Sequence, residues 1–283
     1  MKDRILSFAL LLFAFAAHAQ TDSLNFANAK WESKHIARGV TLKHYWFKGN
    51  LFSANQNVNV LDITPNKKNQ LVLGYSAKTL KPVADFVQEY QAIAGINGGF
   101  FDVKNGGSVD LVKVQGIVVE PNHLEGSGDR AEHQQGALVF HDNTLSIAKY
   151  DGTLNWEHSL NGDVLVAGPM LVYQNVLSPQ NQNSEFVKTR HPRTCVAVTQ
   201  KHHVLLVTVD GRSENSAGVS IPELAKIAQW LKAKEGINMD GGGSSTLFVK
   251  GQEPNGVVNY PTDNKKWDHD GARKVANAVL LKQ

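Results

Sequence analysis

The chain has 283 residues, 42% of them hydrophobic, and its 29 lysines and arginines exceed its 26 aspartates and glutamates by a formal charge of only +3. So small an excess, with no run of basic residues, excludes the electrostatic footprint of a nucleic-acid binder and favours small soluble substrates or neutral-to-acidic glycans. The single cysteine, Cys195, excludes an intramolecular disulfide, so an apolar core must hold the fold.

At the N-terminus, Lys2 and Arg4 precede an apolar run over 5–17, and Ala17-His18-Ala19 has the small-x-small form of a cleavage site. This predicts a secretory signal peptide over residues 1–19. The run is shorter than the roughly 20 residues that cross a bilayer, so no membrane span is expected. Gln20, not a cysteine, follows the cleavage point near Ala19, which leaves no acceptor for a lipid. The mature protein is therefore expected to be exported, periplasmic or extracellular. Loss of Lys2, Asp3 and Arg4 leaves 27 basic and 25 acidic residues. Residues 20–283 suffice for one domain with a substantial core.

Short alternating or β-branched runs follow at 58–63, 70–75, 113–119, 137–140, 164–173, 195–199, 203–209 and 275–281, with the period and composition of strands. Two helices are expected. Val83, Phe86, Val87 and Tyr90 share one helical face, as do Leu224, Ile227, Ala228 and Leu231. Ser220 and Glu223 form a capping-box pair around Pro222 at the start of the second. Loops are expected at 103–108, 121–136 and 178–192. The fold class that results is α+β: a sheet-rich single domain with a mixed β-sheet core and few helices.

Four turns bring polar chemistry to the ends of apolar runs. In Asn97-Gly98-Gly99-Phe100-Phe101-Asp102, Asn97 suits a sugar hydroxyl or phosphate oxygen and Asp102 suits proton transfer; the alternative is an Asx-turn that bonds its own backbone. Arg190-His191-Pro192-Arg193-Thr194 offers the Arg193 fork to an anion, or else a solvated loop charge. Asp210-Gly211-Arg212-Ser213 places an acid and a cation at a sheet edge, as site groups or as a salt-bridged turn. Asp240-Gly241-Gly242-Gly243-Ser244-Ser245-Thr246 is the most informative stretch. Three successive glycines carry a large entropy cost, expected only where the chain bends sharply or touches something closely. Their N–H groups would form an anion nest beside the Asp240 carboxylate. The spacing matches neither G-x-x-x-x-G-K-[ST] nor G-x-G-x-x-G, which sets nucleotide loops aside. Cys195 lies in an apolar run and reads as a buried thiol rather than a nucleophile.

Asp102, Asp210 and Asp240 with Arg193, Arg212 and Arg273, all beside glycine turns or strand ends, suit a phosphorylated or phosphodiester substrate. The four turns, joined by Gly168-Pro169 and Arg273-Lys274-Val275-Ala276-Asn277, together resemble the phosphodiester glycosidase family, in family order from residue 94 to residue 281. The resemblance implies an exported hydrolase that needs no cofactor and cleaves a sugar-1-phosphodiester at the anomeric C–O bond, in a glycan or cell-envelope polymer. It implies Asp240 and Asp102 as acid/base or nucleophile, in either order, with Asp210 orienting Arg212. The implied substrate-binding residues are Asn97, Gly98, Gly99, Arg193, Arg212, Gly241, Gly242, Gly243, Ser244, Ser245 and Arg273. Phosphate is already a stable anion when it leaves, so charge stabilisation is expected to outweigh general acid catalysis. Two other readings compete. One is a metal-assisted phosphodiesterase with Mg²⁺ or Ca²⁺ held by the three aspartates, though no D-x-D-x-D or H-E-x-x-H pattern is present. The other is a non-catalytic glycan-binding module that uses some of the five tryptophans, of which Trp156 and Trp230 serve a core equally well.

Overall fold

The computed structural model describes residues 21–123, 130–154 and 156–283; the signal peptide expected over 1–19 lies outside the described residues. A helix over 21–27, α1, opens this part of the chain. It is followed by β1 (Glu32–Ala37), β2 (Val40–Leu51), β3 (Ala54–Ile63), β4 (Gln70–Tyr75), α2 (Val83–Glu89) and β5 (Ala94–Asn97). Next come β6 (Val112–Val114), β7 (Ile117–Glu120), β8 (Gly136–His141), β9 (Thr144–Lys149), β10 (Asp163–Ala167), β11 (Met170–Tyr173) and β12 (Val176–Leu177). The remainder is α3 (Glu185–Lys188), β13 (Arg193–Thr199), β14 (Val204–Val209), α4 (Ile221–Trp230), β15 (Ala233–Asn238), β16 (Leu247–Val249) and β17 (Asn277–Lys282).

Three sheets share the strands, in the orders β1-β2-β3-β14-β13-β15-β11-β12, β7-β6-β10-β8-β9 and β16-β5-β17-β4. The sheet-rich α+β class with few helices is as expected. Strand direction is more uniform than the expected mixed sheet, because every pairing among the described strands is antiparallel. Helical crossovers explain this: α4 carries the chain from β14 to β15 on either side of β13, and α2 carries it from β4 to β5 on either side of β17, so the strands each helix joins never pair. The run 113–119 becomes a hairpin, since Gln115 and Gly116 both take positive φ between β6 and β7. The run 164–173 becomes two strands around Pro169, which has no N–H for a ladder.

Leu61, Leu206, Leu138, Leu165, Ile96 and Val279 come from all three sheets and belong to one buried cluster, so the sheets enclose a common core. A second cluster packs Leu224 and Ile227 of α4 on the other face of the first sheet. The Ser220–Glu223 capping box forms as expected. Cys195 lies in this second cluster, fully buried, and burial pushes its thiol up to about 12. Cys195→Ala is expected to leave kcat/KM unchanged and to cost about 1 kcal/mol of stability, read as a small drop in Tm. Inactivation of a normally folded variant would revive a thiol mechanism.

Along the inner face of the first sheet the apolar core gives way to polar side chains. His44, Asn59, Thr208 and Thr194 stand opposite one another across β2, β3, β14 and β13. Directly paired residues share a face, so this row lies two residues beyond the apolar row of Leu42, Leu61, Leu206 and Val196. The C-terminal ends of β14 and β15 and the start of β13 meet at this end, and they carry Asp210, Asp240 and Arg193.

Candidate active site

Asn97 closes β5 and is fully buried. Its Nδ2 donates to the Asp240 carbonyl at 2.8 Å, while its Oδ1 accepts from Thr194 Oγ1 at 2.8 Å and from the Thr246 N–H at 3.1 Å. Gly98 N donates to the Asn277 carbonyl at 3.0 Å, and Gly99 N to Asn277 Oδ1 at 2.7 Å. Asp240 N donates in turn to the Gly98 carbonyl at 3.0 Å. Asn97, Gly98 and Gly99 therefore fix the backbone of Asp240.

Asp240 follows the last residues of β15. Its side chain keeps a partial opening to solvent but is hemmed in on most sides, and burial lifts its carboxyl to about 6. The Gly241 N–H, bonded to Oδ1 at 2.8 Å, and the charges of Arg273 and Arg193 oppose the rise. The Ser244 hydroxyl also pulls it down, though it makes no well-aligned hydrogen bond. The expected anion nest does not form from Gly241 and Gly242. Gly241 N faces Asp240, and Gly242 N donates to the Pro192 carbonyl at 2.8 Å.

The glycines instead make room for guanidinium groups. Gly242 has φ +62°, and a Cβ there would lie 3.0 Å from Arg212 Nη2. A Cβ on Gly243 would lie 2.7 Å from Arg273 Nη2. Arg212 itself takes φ +59°, a left-handed conformation uncommon for a non-glycine residue. It is exposed and makes no ion pair among the described residues; Nη2 approaches His191 Nδ1 at 3.4 Å. Burial and the charges of Arg193 and Arg212 push the His191 imidazole below its usual range, which keeps it neutral beside the guanidinium. Arg273 pairs with Asp263, with Nε and Nη2 at 3.1 and 2.5 Å from Oδ1. Arg193, Arg212 and Arg273 thus gather positive charge around Asp240 and His191.

Asp210 sits beneath this surface. It is fully buried, its Oδ1 accepting from Asn259 Nδ2 at 2.8 Å and Tyr260 N at 3.0 Å, its Oδ2 from Asn57 Nδ2 at 2.8 Å. Burial raises its carboxyl above the usual range against those donors. It ties β3 and β14 to the segment beginning at Asn259 and does not orient Arg212 through an ion pair.

The sequence profile of the phosphodiester glycosidase family matches residues 90–282. The chain belongs to the phosphodiester glycosidase family. Over 205 residues it is 24% identical to human N-acetylglucosamine-1-phosphodiester alpha-N-acetylglucosaminidase, a match covering 68% of this chain and 38% of the human enzyme. The chain thus spans well under half the length of that relative. The zebrafish N-acetylglucosamine-1-phosphodiester alpha-N-acetylglucosaminidase catalytic domain, auto-inhibited by its pro-peptide, superimposes with a TM-score of 0.62 at 18% identity, covering 89% of this chain and 83% of that one. A hypothetical protein from Synechocystis superimposes with a TM-score of 0.64 at 17% identity, covering 90% of this chain and 64% of that one. At such identities the structures establish the shared fold.

In this phosphodiester glycosidase family member two more expected residues, Asp102 and Arg193, have settings different from those the sequence implied. Asp102 turns into its own loop, where Oδ1 accepts from Lys104 N at 2.8 Å and Asn105 N at 2.9 Å and Oδ2 from Asn105 Nδ2 at 2.8 Å. Those donors, Asn105 foremost, hold its carboxyl below the usual range. It is the Asx-turn alternative, with no hydrogen bond or ion pair to Asp240. Arg193 is only 2% exposed and donates to the carbonyls of Val219, Phe186 and Thr189 at 3.2, 2.6 and 3.0 Å. Burial pulls it down to about 10. It therefore acts on Asp240 through its charge, while its fork is engaged by the protein. Among the described residues no group of three or more His, Cys, Asp or Glu side chains is placed to hold a metal. Asp102, Asp210 and Asp240 share no common ligand position, so they do not fit a cation bound by all three.

Sequence reading missed Asp263, Asn259 and Asn57, which have no motif of their own, and gave no role to Asn277 within its Arg273–Asn277 motif. It also missed a dyad in which His133 Nδ1 lies 2.9 Å from both oxygens of the fully buried Asp110. The His133 ring packs 4.7 Å from Phe100, directly after Gly99. Cavities beside Lys43 and His203, beside Asn66 and Ser146, and beside Gln88 and Lys250 include none of the residues around Asp240.

Proposed function

We propose that this protein hydrolyses a sugar-1-phosphodiester, breaking the bond between the anomeric carbon and the phosphate oxygen. The observation that carries this reading is the Asp240 carboxyl, lifted to about 6, beside guanidinium groups seated against Gly242 and Gly243. A carboxyl poised near neutrality is suited to proton transfer or nucleophilic attack. Arg212 and Arg273 hold the phosphate oxygens and stabilise the charge as the C–O bond breaks. Water supplies the new hydroxyl on the sugar and yields its other proton to the Asp240 carboxylate or to solvent, and the phosphate departs as a monoester anion. Asp240 acts in its ionised form, because the phosphate needs no proton to leave. Export belongs to the same proposal; it is supported by the sequence of residues 1–19 and accords with a substrate in a glycan or envelope polymer. Among the described residues no helix is long and apolar enough to cross a membrane.

The deciding experiment is hydrolysis of a panel of sugar-1-phosphodiesters in oxygen-18 water. Label on the released sugar is expected. Label on phosphate would overturn C–O cleavage in favour of attack at phosphorus, the metal-assisted alternative. Arg212→Lys keeps the charge but loses the planar fork, and is expected to lower kcat/KM by about 1–3 kcal/mol, roughly 5- to 150-fold. Equal loss on a substrate analogue without phosphate would show that Arg212 serves the fold instead.

A further inference from the structure

Three large rings beside the site are explained neither by the core nor by the chemistry at Asp240. Tyr260 and Trp267 stack in parallel, with centroids 4.2 Å apart and an interplanar angle of 2°. Trp46 stands next, 6.4 Å from Trp267, and is 37% exposed. Tyr260 and Trp267 are half-buried, and none of the three belongs to a core cluster.

The wall of rings is tied to the two segments that carry Arg212 and Arg273. Trp46 Nε1 donates to the Asn215 carbonyl at 2.8 Å, three residues from Arg212. Tyr260 N donates to Asp210 at 3.0 Å, and the segment it begins runs through Asp263 to Arg273. His269 packs on Tyr260 at 4.3 Å and bonds the Asn259 carbonyl at 2.8 Å, which fixes the base of the wall. The rings are thus anchored to the loop that carries Arg212 and to the segment that carries Asp263 and Arg273.

We infer that Trp46, Trp267 and Tyr260 form a subsite for a pyranose ring attached to the phosphate. The inference rests on the reading of this site as a sugar-phosphate site and names what sets its specificity. One face of a pyranose presents a patch of C–H bonds, apolar and slightly positive, which complements the negative face of an aromatic ring. A phosphate on that ring reaches Arg212 and Arg273 while the sugar lies on the wall.

Calorimetric titration with N-acetylglucosamine-1-phosphate, inorganic phosphate and adenosine monophosphate tests this, with hydrolysis of a sugar-1-phosphodiester assayed in parallel. Wild type is expected to bind the sugar phosphate at least about tenfold more tightly than phosphate. Trp267→Ala is expected to remove that advantage while leaving phosphate affinity within about twofold, and Trp267→Phe to keep most of it. Trp46→Ala is the second variant should Trp267→Ala fail to fold, and it is expected to act in the same direction. Equal wild-type affinity for phosphate and sugar phosphate, or no binding of either, overturns the subsite. So does parallel loss of both ligands in Trp267→Ala, because the stack would then only support Arg273. Tighter binding of adenosine monophosphate than of the sugar phosphate overturns it in favour of a nucleobase. Sugar-phosphate binding without hydrolysis would leave the subsite standing and defeat the catalytic reading alone.

Discussion

Asp240→Asn is expected to lower kcat/KM by about 10²–10⁴, the usual contribution of a general acid or base, while leaving the protein folded. The swap is nearly isosteric and removes only ionisation. Retention of more than about a tenth of wild-type kcat/KM would end the central role of Asp240. Because the carboxyl acts ionised and sits at about 6, wild-type kcat/KM is expected to rise with pH through that value and level off above it. A limb that instead falls above pH 6 would assign Asp240 the acid's role.

The same shift makes a stability prediction of opposite sign. The folded carboxyl is raised above the ordinary value of 3.8, so the fold favours its protonated form. The stability contributed by this group is fully present below about pH 4 and is lost as pH rises through about 6. A rise of about two units corresponds to at most about 3 kcal/mol at neutral pH. Asn cannot ionise, so Asp240→Asn is expected to match or exceed wild type in Tm at pH 7.5, with the advantage fading as pH falls below 5. An inactive variant whose Tm is lower than wild type at every pH would mean that Asp240 serves the fold.

What the sequence disclosed depended on how local the physics was. Strands with clean alternation, such as 70–75, and the helix with a capping box appear at their expected places, because period and caps are properties of neighbouring residues. β2 was missed because Lys43, His44 and neighbouring polar residues interrupt its apolar alternation. In β3, Asn57 and Asn59 are the inward polar groups that build the site, and in such places a local rule fails for a functional reason. The glycine turn was correctly read as a place of close approach. What approaches is side chain rather than substrate, since the directions of the Gly241 and Gly242 N–H groups depend on Pro192 and on the Asp240 rotamer. Arg193 and Asp102 show the same limit. A guanidinium fork or a carboxylate in a motif reads identically whether its partners are a ligand, the carbonyls of Phe186 and Thr189, or the N–H groups of its own loop.

Asp210→Asn separates a residue that holds the site from one that reacts in it. Asp210 accepts three N–H donors, from Asn57, Asn259 and Tyr260, in a fully buried setting. An amide at this position replaces one accepting oxygen by a donor, so at least one N–H must face another N–H without solvent to relieve it. Leaving such a group unsatisfied, next to a lost charge-assisted bond, is expected to cost about 2–4 kcal/mol. For a domain of this size that lowers Tm by roughly 4–16 °C. At a temperature well below the melt the folded variant is expected to keep kcat/KM within about tenfold of wild type, because Asp210 touches the rest of the site through Asn259 and Tyr260 rather than through substrate. Thermal melts and low-temperature kinetics on the same preparation read both quantities. A variant with wild-type Tm and no turnover would restore Asp210 to the reacting groups, and the network beneath the glycine turn would then be part of the chemistry instead of its support.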